Sequence, residues 1–220
     1  MTIPGAHDVR FAALWGRCVS APPSPPGTQV YAELARLLGA PQRRFHNLDH
    51  IRDCLRHMDE VVALLRDPDA MELALWFHDA VYTPGDPTNE RRSTELFLGL
   101  SAGASPTLRR RVCGLVLATR HSRIASTGDR RYIEDIDLVG FGAPWEEFMR
   151  AGDLLRLEFE DQPDAPYYLG QVKFLEQLAR RPVFFGTEYF RQRHEARAQD
   201  NLRRLLALRR AEGYGPPAPA

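Results

Sequence analysis

Two short segments hold residues whose types and spacing could do chemistry. The first reads His46-Asn47-Leu48-Asp49-His50, and the second is the pair His78-Asp79. The pair lies in Ala74-Leu75-Trp76-Phe77-His78-Asp79-Ala80-Val81-Tyr82, which is otherwise almost wholly apolar. An imidazole and a carboxylate among Leu, Trp and Phe are costly to bury unless each is compensated. A divalent metal ion would compensate both at once. His46 and His50 are four apart, so on a helix they share one face. Two His with nearby and distant Asp give mixed nitrogen and oxygen donors, a set that suits Mn, Fe, Zn, Co or Ni and suits Mg less well.

The chain must fold around these residues, and its pattern is helical nearly throughout. Apolar residues at Ile51, Leu55, Met58, Val62 and Leu65 are spaced by four, three, four and three, a helical period. Asp69 with Glu72 makes a capping box for an apolar helix carrying His78 and Asp79, expected at the centre of the fold. Further helices are expected at 28–38, from Asn89 to Leu100, from Ser105-Pro106 to about His121, and at 144–161, 167–180 and 187–210. Residues 126–131 read as polar loop, and Tyr132–Val139 as a short run holding Asp135 and Asp137. Trp15, Trp76 and Trp145 read as core, and His7, His57 and His194 as surface. The expectation is an all-α protein, one domain over 1–212, with a disordered tail over 213–220.

Composition excludes several classes. Lys plus Arg equals Asp plus Glu at 29 each, so no electrostatic footprint marks nucleic acid or a membrane as a partner. Lys173 is the only lysine, leaving 28 of the 29 basic residues as arginine. Cys18, Cys54 and Cys113 form neither a disulfide framework nor a zinc-finger spacing, which suits a reducing cytoplasm. Met1–Arg10 lacks a signal-peptide pattern, and no apolar run approaches a membrane span. The chain has no P-loop, no G-x-G-x-x-G and no Gly-x-Ser-x-Gly, so phosphate would be held by metal and arginine. Arg43-Arg44, Arg91-Arg92 and Arg120 flank the motifs and are candidates for that contact.

His50, His78-Asp79 and an Asp within Asp135-Ile136-Asp137-Leu138 resemble the H…HD…D signature of the HD superfamily of metal-dependent phosphohydrolases. The segment from Arg44 to His50 is similar to the Tyr-His-Asn-x-x-His stretch of its cyclic-nucleotide phosphodiesterase branch. Phe77-His78-Asp79 with Tyr82, Asn89-Glu90 with Ser93, and Asp135 to Leu138 look like a bacterial group of HD phosphohydrolases. Ala196-Arg197 with Asn201-Leu202 resembles that group's Ala-Arg-x-x-Asn-Leu, with one extra residue. The likeness covers roughly residues 30–205 and implies an HD-type helical bundle.

By residue, the resemblance implies metal ligation by His50, His78, Asp79 and Asp137. Asp135 competes for the last place, and Asp137 is favoured because Leu138 follows it. Asp79 would bridge a second ion, and His46 would be the leaving-group acid, a task suited to its unperturbed pKa. Glu90 would activate water or hold a water beside the ligands. His121, Arg120 and Asn89 are candidates for a weak second metal, Mg included, or for substrate. A single His between Asp79 and Asp137 favours one tightly bound ion. The function implied is hydrolysis of a phosphoester in a nucleotide or small phosphorylated metabolite. A non-catalytic metal- and nucleotide-binding regulatory domain is the alternative, and a di-iron oxygenase ranks lower. Oligomeric state is open, a homodimer included.

Overall fold

The computed structural model describes residues 6–19, 21–121 and 127–215. Ser126, expected in a loop, Pro216–Ala220, expected in a disordered tail, and Met1–Gly5 of the N-terminal segment lie outside them. The described residues are all-α, with ten α-helices and no strand among them. Among the described residues no helix is long and apolar enough to cross a membrane. The chain clusters into two compact units, 1–133 and 134–220.

The first unit contains α1 (Ala6–Cys18), α2 (Gly27–Leu38), α3 (Leu48–Val61), α4 (Pro68–Phe77), α5 (Asn89–Leu100) and α6 (Pro106–Val116). Helix α4 is its axis, since every residue from Ala70 to Phe77 is buried. Around it Phe11, Trp15, Trp76, Phe77 and Phe97 pack ring against ring at centroid distances of 5.1 to 6.5 Å. Burying each such side chain contributes roughly 1.5–3 kcal/mol. The cap of α4 differs from the expected Asp69–Glu72 box. Asp67 accepts from the Ala70 N–H, with Pro68 in the first turn. Asp69 and Glu72 instead pair with Arg17 and Arg10 of α1. Proline at the first helical position fixes the start two residues before the Asp69 box would have.

Helix α3 buries Ile51, Cys54, Leu55, His57, Met58 and Val61. Val62 is 42% exposed, against expectation, because the helix gives way there to a 3₁₀ turn over Val62–Leu64. His57 is not a surface residue. It is buried against Arg56 and Glu60. His7 is half-buried, edge-on to Trp76.

Helix α7 (Asp129–Asp137) starts in the first unit and carries the chain across the boundary into the second. Part of the expected loop 126–131 is therefore helix. Asp129 explains this, because its carboxylate accepts the backbone N–H groups of Arg66 and Asp67 at 3.0 Å each and anchors the first turn. The second unit adds α8 (Trp145–Glu158), α9 (Asp164–Ala179) and α10 (Glu188–Ala211). Phe148, Phe184, Phe185 and Phe190 are buried in its core, with Phe141 half-buried against Phe148 and Phe184 and His194 half-buried beside Phe185 and Phe190. Trp145 is half-buried rather than core, with the Arg204 guanidinium 3.8 Å above its ring. Residues 213–215 of the expected disordered tail are packed. The Tyr214 ring lies 4.8 Å from that of Tyr168, and its N–H donates to Arg209 O.

Candidate metal centre

His50 lies in the first turn of α3, whose N-cap Asn47 accepts from the N–H groups of Asp49 and His50. Cys54 follows one turn later on the same buried face. His78 is the C-cap of α4, and Asp79 stands just beyond the helix. The pair is thus at the end of the apolar helix, not within it. The ends of two helices bring four donor atoms together. His50 Nε2 is 3.3 Å from His78 Nε2 and 3.6 Å from Cys54 Sγ. Asp79 Oδ2 is 3.1 Å from His78 Nε2 and 3.8 Å from His50 Nε2. The ligand atoms of His50, Cys54 and His78 all lie within 4.8 Å of one another.

The protonation of His78 is set by its surroundings. It is fully buried, and its Nδ1 lies 2.9 Å from Leu75 O. A carbonyl only accepts, so Nδ1 carries the proton and the Nε2 lone pair faces the other donors. A second hydrogen bond of this kind commonly orients a metal-binding imidazole. Donors bound to one ion at about 2.0–2.3 Å stand roughly 3–3.8 Å apart, the spacing found here. The cluster fits a metal ion.

Arg43 braces this centre. The side chain is buried, and Nη1 donates to His46 O at 3.1 Å and to Asp79 O at 2.5 Å, while Nη2 donates to Ala80 O at 2.9 Å. One guanidinium therefore ties the approach to α3 to the segment leaving α4. His46 lies against Tyr82, ring centroids 4.2 Å apart, and 6.0 Å from the His50 ring. Both ends of the Asn89 amide bind the backbone of Thr83, closing the turn that follows Asp79. Glu90 faces Arg120, Oε2 to Nε 3.7 Å, and Arg120 also donates to Pro87 O. Arg91 and Arg92 pair with Glu95 and Asp86. His121 is buried after a 3₁₀ turn, in left-handed backbone at φ 52°.

Within the second unit, both Asp135 oxygens are occupied. They accept from Gly186 N, Thr187 N and Thr187 Oγ1 at 2.6 to 2.8 Å. Burial pushes this carboxyl up to about 6, against the lowering effect of those donors. Asp137 ends α7 and is half-buried. Arg197 donates to Gly142 O, and Asn201 to Phe141 O and Ala143 O, so the Ala-Arg…Asn-Leu residues hold the backbone of a 3₁₀ turn.

Cys54 is the residue that sequence reasoning missed. As a set the three cysteines carry no signal; the informative spacing is His50-x-x-x-Cys54, one turn on a buried helix face. Arg43 is one of several arginines that the sequence offers as a phosphate contact or a solvated side chain, because nothing in the sequence marks a buried arginine among exposed ones. No family model, curated protein or solved structure matches this chain.

Proposed function

We propose that this chain is a metal-dependent phosphohydrolase of the HD type, acting on a phosphoester of a nucleotide or small phosphorylated metabolite. The single observation that carries the reading is the His50–His78–Asp79 cluster, with donors at ion-binding spacing and the His78 tautomer fixed for ligation. His50, His78 and Asp79 would hold the ion. Asp137 is proposed as the further ligand, since the Asp135 oxygens are already engaged by Gly186 and Thr187. Such an ion makes hydroxide available near neutral pH and polarises a phosphoryl oxygen. His46, next to the cluster and against the Tyr82 ring, would hold the proton given to the leaving group.

Cys54 bears on which ion. A soft sulfur donor beside two imidazoles suits Zn, Co or Fe better than Mg or Mn. A second reading, a metal- and nucleotide-binding regulatory domain without turnover, draws support from Glu90 and Asn89. Both are expected near substrate, and both are engaged within the fold.

The test combines elemental analysis of the purified protein with a screen of nucleotides and phosphoesters supplemented with Mn, Ni, Co or Mg. The expected result is about one equivalent of a transition metal and metal-dependent phosphate release, with both absent in Asp79→Ala. A metal-loaded wild type without turnover favours the regulatory reading. Full metal occupancy in Asp79→Ala removes the proposed ligand set.

A further inference from the structure

At the opposite end of α4 from His78, roughly 15 Å along the helix, lies a cavity of about 490 Å³. Four arginines line it, Arg66, Arg110, Arg111 and Arg130, against two carboxylates, Asp67 and Asp129. Both carboxylates are already committed. Asp67 caps α4 and pairs with Arg111, and Asp129 accepts the N–H groups of Arg66 and Asp67. Arg110 donates to the Thr107 hydroxyl. Among the described residues no carboxylate pairs with Arg66, Arg110 or Arg130, so three cations face one concavity.

The surroundings add to this charge. The lining comes from the starts of α4 and α7 and from one face of α6, and a helix start carries partial positive charge. Arg130 lies flat against α6 because Gly114 has no side chain, and a Cβ there would stand 2.8 Å from Arg130 Nη2. The cavity wall contains no aromatic ring on which a base could stack. The ligand must therefore be recognised through compact, dense negative charge, which guanidinium forks bind in pairs.

We propose that this cavity is a binding site for a diphosphate group, separate from the metal centre. Free inorganic pyrophosphate and the phosphate end of a nucleoside diphosphate share that chemistry.

The experiment is calorimetric titration of metal-free protein with pyrophosphate, ADP, inorganic phosphate and adenosine, at about 50 mM and about 300 mM salt. Pyrophosphate is expected to bind one to one, more weakly at the higher salt, with phosphate weaker and adenosine silent. ADP matching pyrophosphate identifies the diphosphate as the recognised group, and ADP binding far more tightly assigns the source as a nucleotide. Arg66→Ala with Arg130→Ala should weaken pyrophosphate at least tenfold, about the loss expected for one charged contact or more. Both side chains are exposed, and Arg130→Gln alone should give a smaller loss should the double variant fold poorly. Asp79→Ala should leave this binding unchanged while losing metal, which separates failure here from failure of the hydrolase reading. No pyrophosphate binding, binding indifferent to the arginine variants, or binding lost with Asp79 would overturn the proposal. So would a single-stranded oligonucleotide that outcompetes pyrophosphate for the same arginines.

Discussion

Replacing Arg43 with Met removes the guanidinium fork and keeps most of the apolar stem, so the effect isolates three hydrogen bonds. The acceptors differ in burial. Ala80 is fully buried, and its orphaned carbonyl should cost about 2 kcal/mol. His46 and Asp79 are half-buried, so water can replace part of what is lost, at about 0.5–1 kcal/mol each. The cation–π contact with Tyr82, at 5.5 Å, adds a few tenths at most. The expected loss is therefore about 3–4 kcal/mol, read from urea unfolding followed by far-UV circular dichroism. Arg44→Met, at the exposed neighbour, should change stability by about 0.5 kcal/mol or less. Arg43→Lys keeps the charge but has no fork and should fall between. The carbonyls belong to segments that position His50, His78 and Asp79, so metal affinity should fall alongside stability. A loss below about 1 kcal/mol for Arg43→Met, or metal affinity unmoved by a large loss, would refute the bracing role.

Three further outcomes follow from other contacts. Cobalt-substituted wild type should show a near-ultraviolet sulfur-to-metal band that Cys54→Ser lacks, and its absence from wild type would exclude sulfur ligation. Asn201 is buried and donates to Phe141 O and Ala143 O at 2.8 Å each, so Asn201→Leu should lower stability by about 2–3 kcal/mol. An unchanged thermal midpoint would contradict that. Burial, and then Arg56, lowers the His57 pKa, so below about pH 6.5 the unfolded chain binds more protons than the native one. Stability should fall as pH drops through that range, and His57→Gln should flatten the slope between urea midpoints at about pH 5.5 and about pH 7.5.

Much of the architecture was legible because helices announce themselves locally. Asn89–Leu100 and the Ser105-Pro106 start needed only periodicity, a cap and a proline. The errors came where a distant residue decides a local outcome. Asp129 closes on the backbone of Arg66 and Asp67 and draws helix out of an apparent loop. Arg17 and Arg10 claim the acids of the apparent capping box, which no local pattern reveals. His78 and Asp79 were readable because ionisable residues in apolar text are conspicuous, whereas His50, in polar text, joined them only through the likeness to a known motif. Cys54 was not, since a buried cysteine resembles any small apolar residue.

The burial of α4 also sets a hierarchy of lifetimes. Amide protons from Ala70 to Phe77 should exchange only when the whole unit opens, whereas the turn after Asp79 rests on side-chain bonds from Arg43, Ser93 and Asn89 and can open once those few break. His78 stands on the seam between these regimes. An ion held there would escape on the clock of the turn, not on that of the fold. Prolonged dialysis against chelator or mild warming would then strip it from molecules whose helices never melt, so the history of a preparation would govern its metal content more than its folded fraction does.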